Sequence, residues 1–284
     1  MNEITIKFDD IVFDLKTMGL KKGETVLMHS ALTSAGRIEG GASTVIYAFL
    51  NVLGEEGTLV MSTLTGWDKP FNPDITPSAV GLISEVFRKT PGVKRSKHPV
   101  HSVAAYGKNA EYIVADHDKC ETGCGEGTPY VKLLNLDAKV ILFGVDMDRN
   151  TVMHSLEEAI CAKYLRTLDI PAPTYIDDYQ NKVFTLKKFP PGHRDFLSFT
   201  SQLRKRGKLI QGTVGNAVVK IIPINSLFDI GLELLKKNPL YFICNNENCN
   251  SCNWSRKLYG SEEIDMEKYK GNGCVDSNCE ICVI

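Results

Sequence analysis

The segment AKVILFGV (138–145) constrains this chain more than any other. A run of β-branched and large apolar residues closed by glycine is too short for a helix and reads as a buried strand. Comparable runs recur along the chain. ETVLMHSAL gives a strand from Thr25 to Met28, and GTLVMSTL, SVAAYG and VGNAVVKIIPI give others. Between them lie helical patterns. STVIYAFLNVLGEEG has Ser43 as N-cap and Gly54 near its C-terminal end, and AVGLISEVFRKTPG stops before Pro91. PYVKLLNL is a short helix and TVMHSLEEAICAKYL a longer one, while TYIDDYQNKVFTLKKF reads as a β-hairpin and FLSFTSQLRKRG as a helix. Strands alternating with helices of this length imply a layered α/β fold on a mainly parallel, mixed sheet.

Length and charge narrow the class. A chain of 284 residues can bury a sizeable core, and a formal charge of −1 gives no broad surface for nucleic acid or anionic membranes. The opening MNEITIKFDD lacks the basic and apolar regions of an export signal, and no apolar stretch is long enough to span a bilayer. The expectation is a cytoplasmic protein, with a homo-oligomer left open. No linker divides the first 240 residues or so. We therefore expect one elaborated domain over 1–243 and a Cys-rich appendage over 244–284.

Four segments carry a resemblance. MHSALTSAGRIEGGASTVIYAFL, RSKHPVHSVAAYG, GEGTPY and GVDMDRNTVMHSLEE occur in the order of the signatures of the aminoglycoside 3-N-acetyltransferase family, the antibiotic acetyltransferases outside the GNAT fold. The chain resembles that family over roughly residues 10 to 240. The resemblance implies a three-layer α/β/α sandwich, acetyl-CoA as cosubstrate and direct acylation of a small amine, with the 3-amino group of an aminoglycoside as the leading acceptor. One alternative is an acyltransferase for another sugar or biosynthetic amine. Another is a metal-binding interaction protein on a retained acetyltransferase scaffold.

The residues bear on that chemistry directly. An ammonium ion has no lone pair with which to attack a thioester, so acyl transfer to an amine needs a base. His154 falls in the first turn of its helix, with Asn150 or Thr151 as cap. Glu157 and Glu158 follow at three and four residues, on the same face, and Cys161 continues the stripe. By itself this is also the pattern of an exposed histidine with ordinary neighbours. The likeness of the segment to the family's NTxxHxxE implies that His154 is the base and Glu157 its orienting carboxylate.

The same resemblance implies further roles. His98, Pro99, Ser102, Ala105 and Gly107 match the family's HP..S..A.G pattern, so His98, Ser102 and Val103 are expected to line the thioester end of coenzyme A. Ser102, Thr63 or backbone N–H groups would stabilise the oxyanion. Ser30, Ala31, Leu32, Ser34 and Gly36 match a glycine-rich loop that would cradle the cofactor, with Arg37 as a nearby cation. Thr63 resembles the end of the family's MPT, although Ser62 stands where that pattern has proline. Glu126, Asp146 and Glu158 are the expected carboxylates for a polycationic acceptor. His101 matches no signature position and reads as incidental.

The appendage has its own signature. CNNENCNSC (Cys244, Cys249, Cys252) and CVDSNCEIC (Cys274, Cys279, Cys282) repeat one C-x4-C-x2-C spacing. Four of these sulfurs would complete a tetrahedral zinc site, which we expect in preference to iron–sulfur, redox thiols or disulfides.

Overall fold

Strands without a polar face must be covered on both sides, and the chain supplies helices for both. A computed structural model describes residues 5–66, 71–120, 122–165, 170–177, 180–186 and 194–260. In chain order, α1 (Phe8–Thr17) leads to β1 (Thr25–Ser30), α2 (Gly41–Leu53), β2 (Thr58–Ser62) and α3 (Leu82–Arg88). Next come β3 (Lys94–Arg95), β4 (Val103–Gly107), α4 (Ala110–Val114), α5 (Pro129–Asn135), β5 (Lys139–Phe143) and α6 (Val152–Ala159). The remainder holds β6 (Ile170–Asp177), β7 (Gln180–Leu186), α7 (Leu197–Lys205), β8 (Ile210–Val214), β9 (Ala217–Pro223), α8 (Ile224–Lys237) and α9 (Asn250–Gly260).

The main sheet has seven strands in the order β3-β4-β2-β1-β5-β9-β8, and β6 and β7 form a separate antiparallel hairpin. β1 pairs parallel with β2 and with β5, whereas β4 and β9 run against their neighbours. The sheet is therefore mixed, as expected, but its two parallel pairings are confined to the centre and its other four pairings are antiparallel, so it is not mainly parallel. SVAAYG does not lie beside AKVILFGV: β4 pairs with β2, so β2 and β1 separate it from β5. Because β4 is reversed, its start meets the end of β2, with Val103 opposite Ser62. Residues preceding β4 thus reach the same rim as those following β1, β2 and β5.

Two cores flank the sheet. Ile11, Leu15, Val45, Phe49, Ile83 and Phe87 from α1, α2 and α3 cover one face. Ile113, Tyr130, Leu133, Met153, Leu156, Phe199 and Leu227 from α4 to α8 cover the other. Each such side chain, fully buried, contributes about 1.5–3 kcal/mol, enough to hold a helix whose intrinsic propensity is ordinary. Among the described residues, no helix is long and apolar enough to cross a membrane.

Some local expectations change. The cap of α2 is Gly40, in a left-handed conformation (φ 74°), and Ser43 lies inside the helix. α6 ends at Ala159, short of the expected Leu165, and Cys161 has φ 47° and is exposed, so it does not extend the His154 stripe. β8 was not apparent in the sequence because glycines interrupt its short apolar pattern; a turn at Gly215 joins it to β9. The first part of the appendage is folded. Cys252 and Leu258 of α9 join Ala162, Tyr164, Leu165 and Ile243 in a third, smaller apolar cluster. Cys274, Cys279 and Cys282 lie outside the described residues.

Candidate active site

α6 starts just beyond the β5 end of the sheet, capped by the Asn150 side chain, whose Oδ1 accepts from Val152 N at 3.2 Å. One turn in, His154 Nδ1 lies 2.8 Å from Glu157 Oε2. The His154 side chain is 26% exposed and Glu157 is fully buried. Two residues that sequence reasoning did not single out for this role hold the other carboxylate oxygen. Glu157 Oε1 accepts from the Tyr164 hydroxyl at 2.9 Å and from Arg194 Nε at 2.6 Å. The Arg194 guanidinium also lies over the Tyr164 ring, 5.1 Å from its centroid.

The electrostatics decide the tautomer. Burial would raise the Glu157 pKa, but the Arg194 charge and the His154 bond outweigh it and hold the carboxyl at about 2. An ionised carboxylate only accepts, so neutral His154 carries its proton on Nδ1 and presents an unprotonated Nε2. Phe196 packs edge-on against the ring at 5.1 Å. The imidazole is thereby held in one tautomer and one orientation.

Around it stands a group of buried imidazoles. His98 stacks on His117 at 4.6 Å between centroids, and His101 lies 5.6 Å from His98. His98 Nδ1 accepts from the backbone of Val100 (3.2 Å) and His101 (3.0 Å), and so shapes the turn before β4. His117 Nε2 donates to the Gly123 carbonyl at 3.1 Å, which leaves Nδ1 to accept from Ser96 Oγ at 2.9 Å. Burial, and then the neighbouring imidazoles, push the His98 pKa well down. Burial and then His154 push His101 to about 3. His101 is therefore a neutral neighbour of His154 rather than an incidental residue. Its lack of a familiar motif hid this.

Thr63 and Ser102 do come together, with hydroxyls 3.1 Å apart. Ser102 Oγ, however, donates to the Thr63 carbonyl at 2.8 Å, and Arg95 Nε approaches both hydroxyls at 3.1 and 3.2 Å. Both residues are fully buried, and this network braces β2 against β4. For Ser102 to serve an oxyanion, that bond would have to break. Val103 corrects another expectation. Its side chain is in the core, and its N–H and carbonyl both pair with Ser96, so it has nothing to offer a cofactor.

The loop after β1 forms a short 3-10 turn at Leu32–Ala35, with Ser34 Oγ donating to the Ala31 carbonyl at 2.6 Å. Gly36 follows at φ 84°, and Arg37 is exposed. Ser34 opens onto a cleft of about 570 Å³ that Gly144, Arg204, Asn216 and Lys220 also line. Asp146 lies in this cleft, where it pairs with Lys220 and accepts from Met147 N at 2.7 Å. It is thus a partner of a lysine on the neighbouring strand β9, not a free carboxylate for the acceptor. Glu126 is exposed on the loop before α5. Glu158 reaches that loop: its Oε2 would lie 3.3 Å from a Cβ at Gly125.

An accessible imidazole on a buried, ionised carboxylate, at the strand-end rim of an α/β sandwich, is an arrangement that can take up a proton. Comparison with known proteins supplies the family. Residues 27–236 match the family described as aminoglycoside 3-N-acetyltransferase, and the chain belongs to it. Its members are acyltransferases. One relative, the SPbeta prophage-derived aminoglycoside N(3')-acetyltransferase-like protein YokD of Bacillus subtilis (strain 168), is 38% identical over 192 residues, 59% of this chain and 70% of that one. Aminoglycoside N(3)-acetyltransferase VII of Streptomyces paromomycinus is 27% identical over 258 residues, 79% of this chain and 89% of that one. The solved structure of AAC(3)-IVa in complex with a gentamicin superposes with a TM-score of 0.81 at 28% identity, covering 91% of this chain and 99% of the other.

Proposed function

We propose that the protein transfers the acetyl group of acetyl-CoA to the 3-amino group of an aminoglycoside, with His154 as general base. The observation that carries this reading is the accessible His154 ring on the buried Glu157 carboxylate, in a chain of this family. Nε2 of His154 takes the proton from the bound ammonium group. The freed amine attacks the thioester carbonyl, the tetrahedral intermediate gives up its second N–H proton to solvent, and its collapse yields amide and coenzyme A thiolate. The proton held on His154 then passes to that thiolate. While it is held, the imidazolium faces an ionised carboxylate that is already oriented, so no group has to rearrange.

The two sides of the site suit the two substrates. Arg204 in the cleft beside Ser34 offers a cation to the phosphates of coenzyme A, next to the glycine-rich loop, while Lys220 is buried against Asp146. Glu126 and Glu158, on the loop before α5 and on α6, offer carboxylates to a polycationic acceptor. The gentamicin complex of AAC(3)-IVa supports an acceptor of this class. A donor made and kept inside cells fits a cytoplasmic enzyme.

The test is free-thiol release from acetyl-CoA against a panel of aminoglycosides and simpler amines, with the product's acetylated nitrogen located by NMR. Turnover of aminoglycosides with acetylation at the 3-amino group is expected. Acetyl-CoA binding with turnover only on other amines would keep the chemistry and replace the acceptor.

A further inference from the structure

The first cysteine triplet of the appendage is built into the fold. Cys249 immediately precedes α9, Cys252 lies in its first turn, and Cys244 belongs to the turn before it. Their three sulfurs all lie within 4.8 Å of one another. Cys252 is fully buried, and the backbone N–H of Cys244 donates to its sulfur at 3.3 Å. The turn between them is fixed at Asn246, whose carbonyl accepts from Cys249 N at 3.0 Å and whose Oδ1 accepts from Asn248 N at 2.9 Å. Arg256 donates to the Cys244 carbonyl at 2.5 Å from the far side of the turn. Backbone geometry therefore brings the three sulfurs together.

A disulfide would use two of the three and strand the third. A tetrahedral zinc ion, with Zn–S near 2.3 Å, asks for sulfurs about 3.8 Å apart, a spacing that three sulfurs within 4.8 Å of one another can meet. Three thiolates this close repel one another unless a cation lies between them. The apolar cluster under α9 is small, so the helix needs another attachment.

We propose that Cys244, Cys249 and Cys252 bind one thiophilic divalent cation of the zinc class, which fastens the start of α9 to the segment that precedes it. Each thiol releases its proton to solvent as the ion binds. The fourth position takes a ligand from outside this triplet. The site stands apart from the acyl-transfer reading, because its ligands take no part in the transfer.

The test uses the full chain, purified without chelator from zinc-supplemented cells. Elemental analysis should find about one equivalent of zinc held by this triplet. It should vanish in the C249S/C252S double variant and persist in the C274S/C279S/C282S triple variant. Since the double variant could fail to fold, cobalt(II) exchanged into the wild-type protein gives a second reading: thiolate-to-cobalt charge-transfer absorption is expected. Less than about a tenth of an equivalent of metal, with the native thiols reacting freely, overturns the proposal. So does metal retained by the C249S/C252S variant, or bound cobalt without charge-transfer absorption.

Discussion

Arg194 Nε lies 2.6 Å from Glu157 Oε1, and both side chains are buried. The pair holds the carboxylate that orients His154, although the two residues are 37 positions apart in the chain. Truncating one member of such a pair leaves an uncompensated buried charge and costs about 3–5 kcal/mol. Arg194→Met, which keeps the volume, should therefore destabilise strongly. The double variant Arg194→Met with Glu157→Gln should recover part of the loss. Denaturant unfolding of the single and double variants measures it, and strictly additive losses would mean that the pair is not coupled.

Glu157→Gln alone keeps the shape of the side chain and removes its charge. The imidazolium formed during transfer then loses its counter-charge, so kcat should fall about tenfold or more while the KM for acetyl-CoA stays near the wild-type value. A KM effect with unchanged kcat would place Glu157 in substrate binding instead.

Acid should weaken the fold before ordinary carboxylates titrate. Burial lowers His29 to about 4 and His101 and His117 to about 3. In the unfolded chain these imidazoles take protons near pH 6.5, so below that value the unfolded state binds more protons than the folded one. The stability they contribute is complete above about pH 6.5 and declines as pH falls toward about 3. Glu157, depressed to about 2, adds a loss that begins lower, as the pH falls through the ordinary glutamate range toward that value. Melting temperatures measured from pH 7 to pH 4 should fall steadily, and a flat profile would contradict the buried neutral imidazoles.

Arg204 is exposed at the mouth of the cleft and makes one side-chain bond, to Gln211 at 3.2 Å, among those described. Arg204→Ala should leave the fold intact and weaken coenzyme A binding roughly fivefold or more if its guanidinium meets a phosphate. Gly36→Val should weaken binding as well, because φ is 84° there and a Cβ would come 3.0 Å from Asn216 Nδ2. Calorimetry decides; unchanged affinity in both variants would move the cofactor elsewhere.

The layered fold was legible because strands such as β5 have no polar face and the helices between them carry apolar stripes. The His154–Glu157 spacing was legible because one helical turn brings the two together. By helical spacing alone Tyr164 would continue the apolar stripe of Met153, Leu156 and Ile160. Its hydroxyl reaches Glu157 only because α6 ends at Ala159 and the chain turns back through Cys161. Arg194 gave no local signal, since its partner is fixed by tertiary packing. Ser102 precedes β4, and the partner of its hydroxyl, the Thr63 carbonyl, is 39 residues away. No local pattern reports such a bond.

The account rests on His154 as the base, and single-turnover acetyl transfer by His154→Ala is the most direct test. With acetyl-CoA affinity checked by calorimetry and an aminoglycoside as acceptor, the rate should fall by about 10²-fold or more while acetyl-CoA binds as before. A variant that acetylates at a near-normal rate at neutral pH would contradict it.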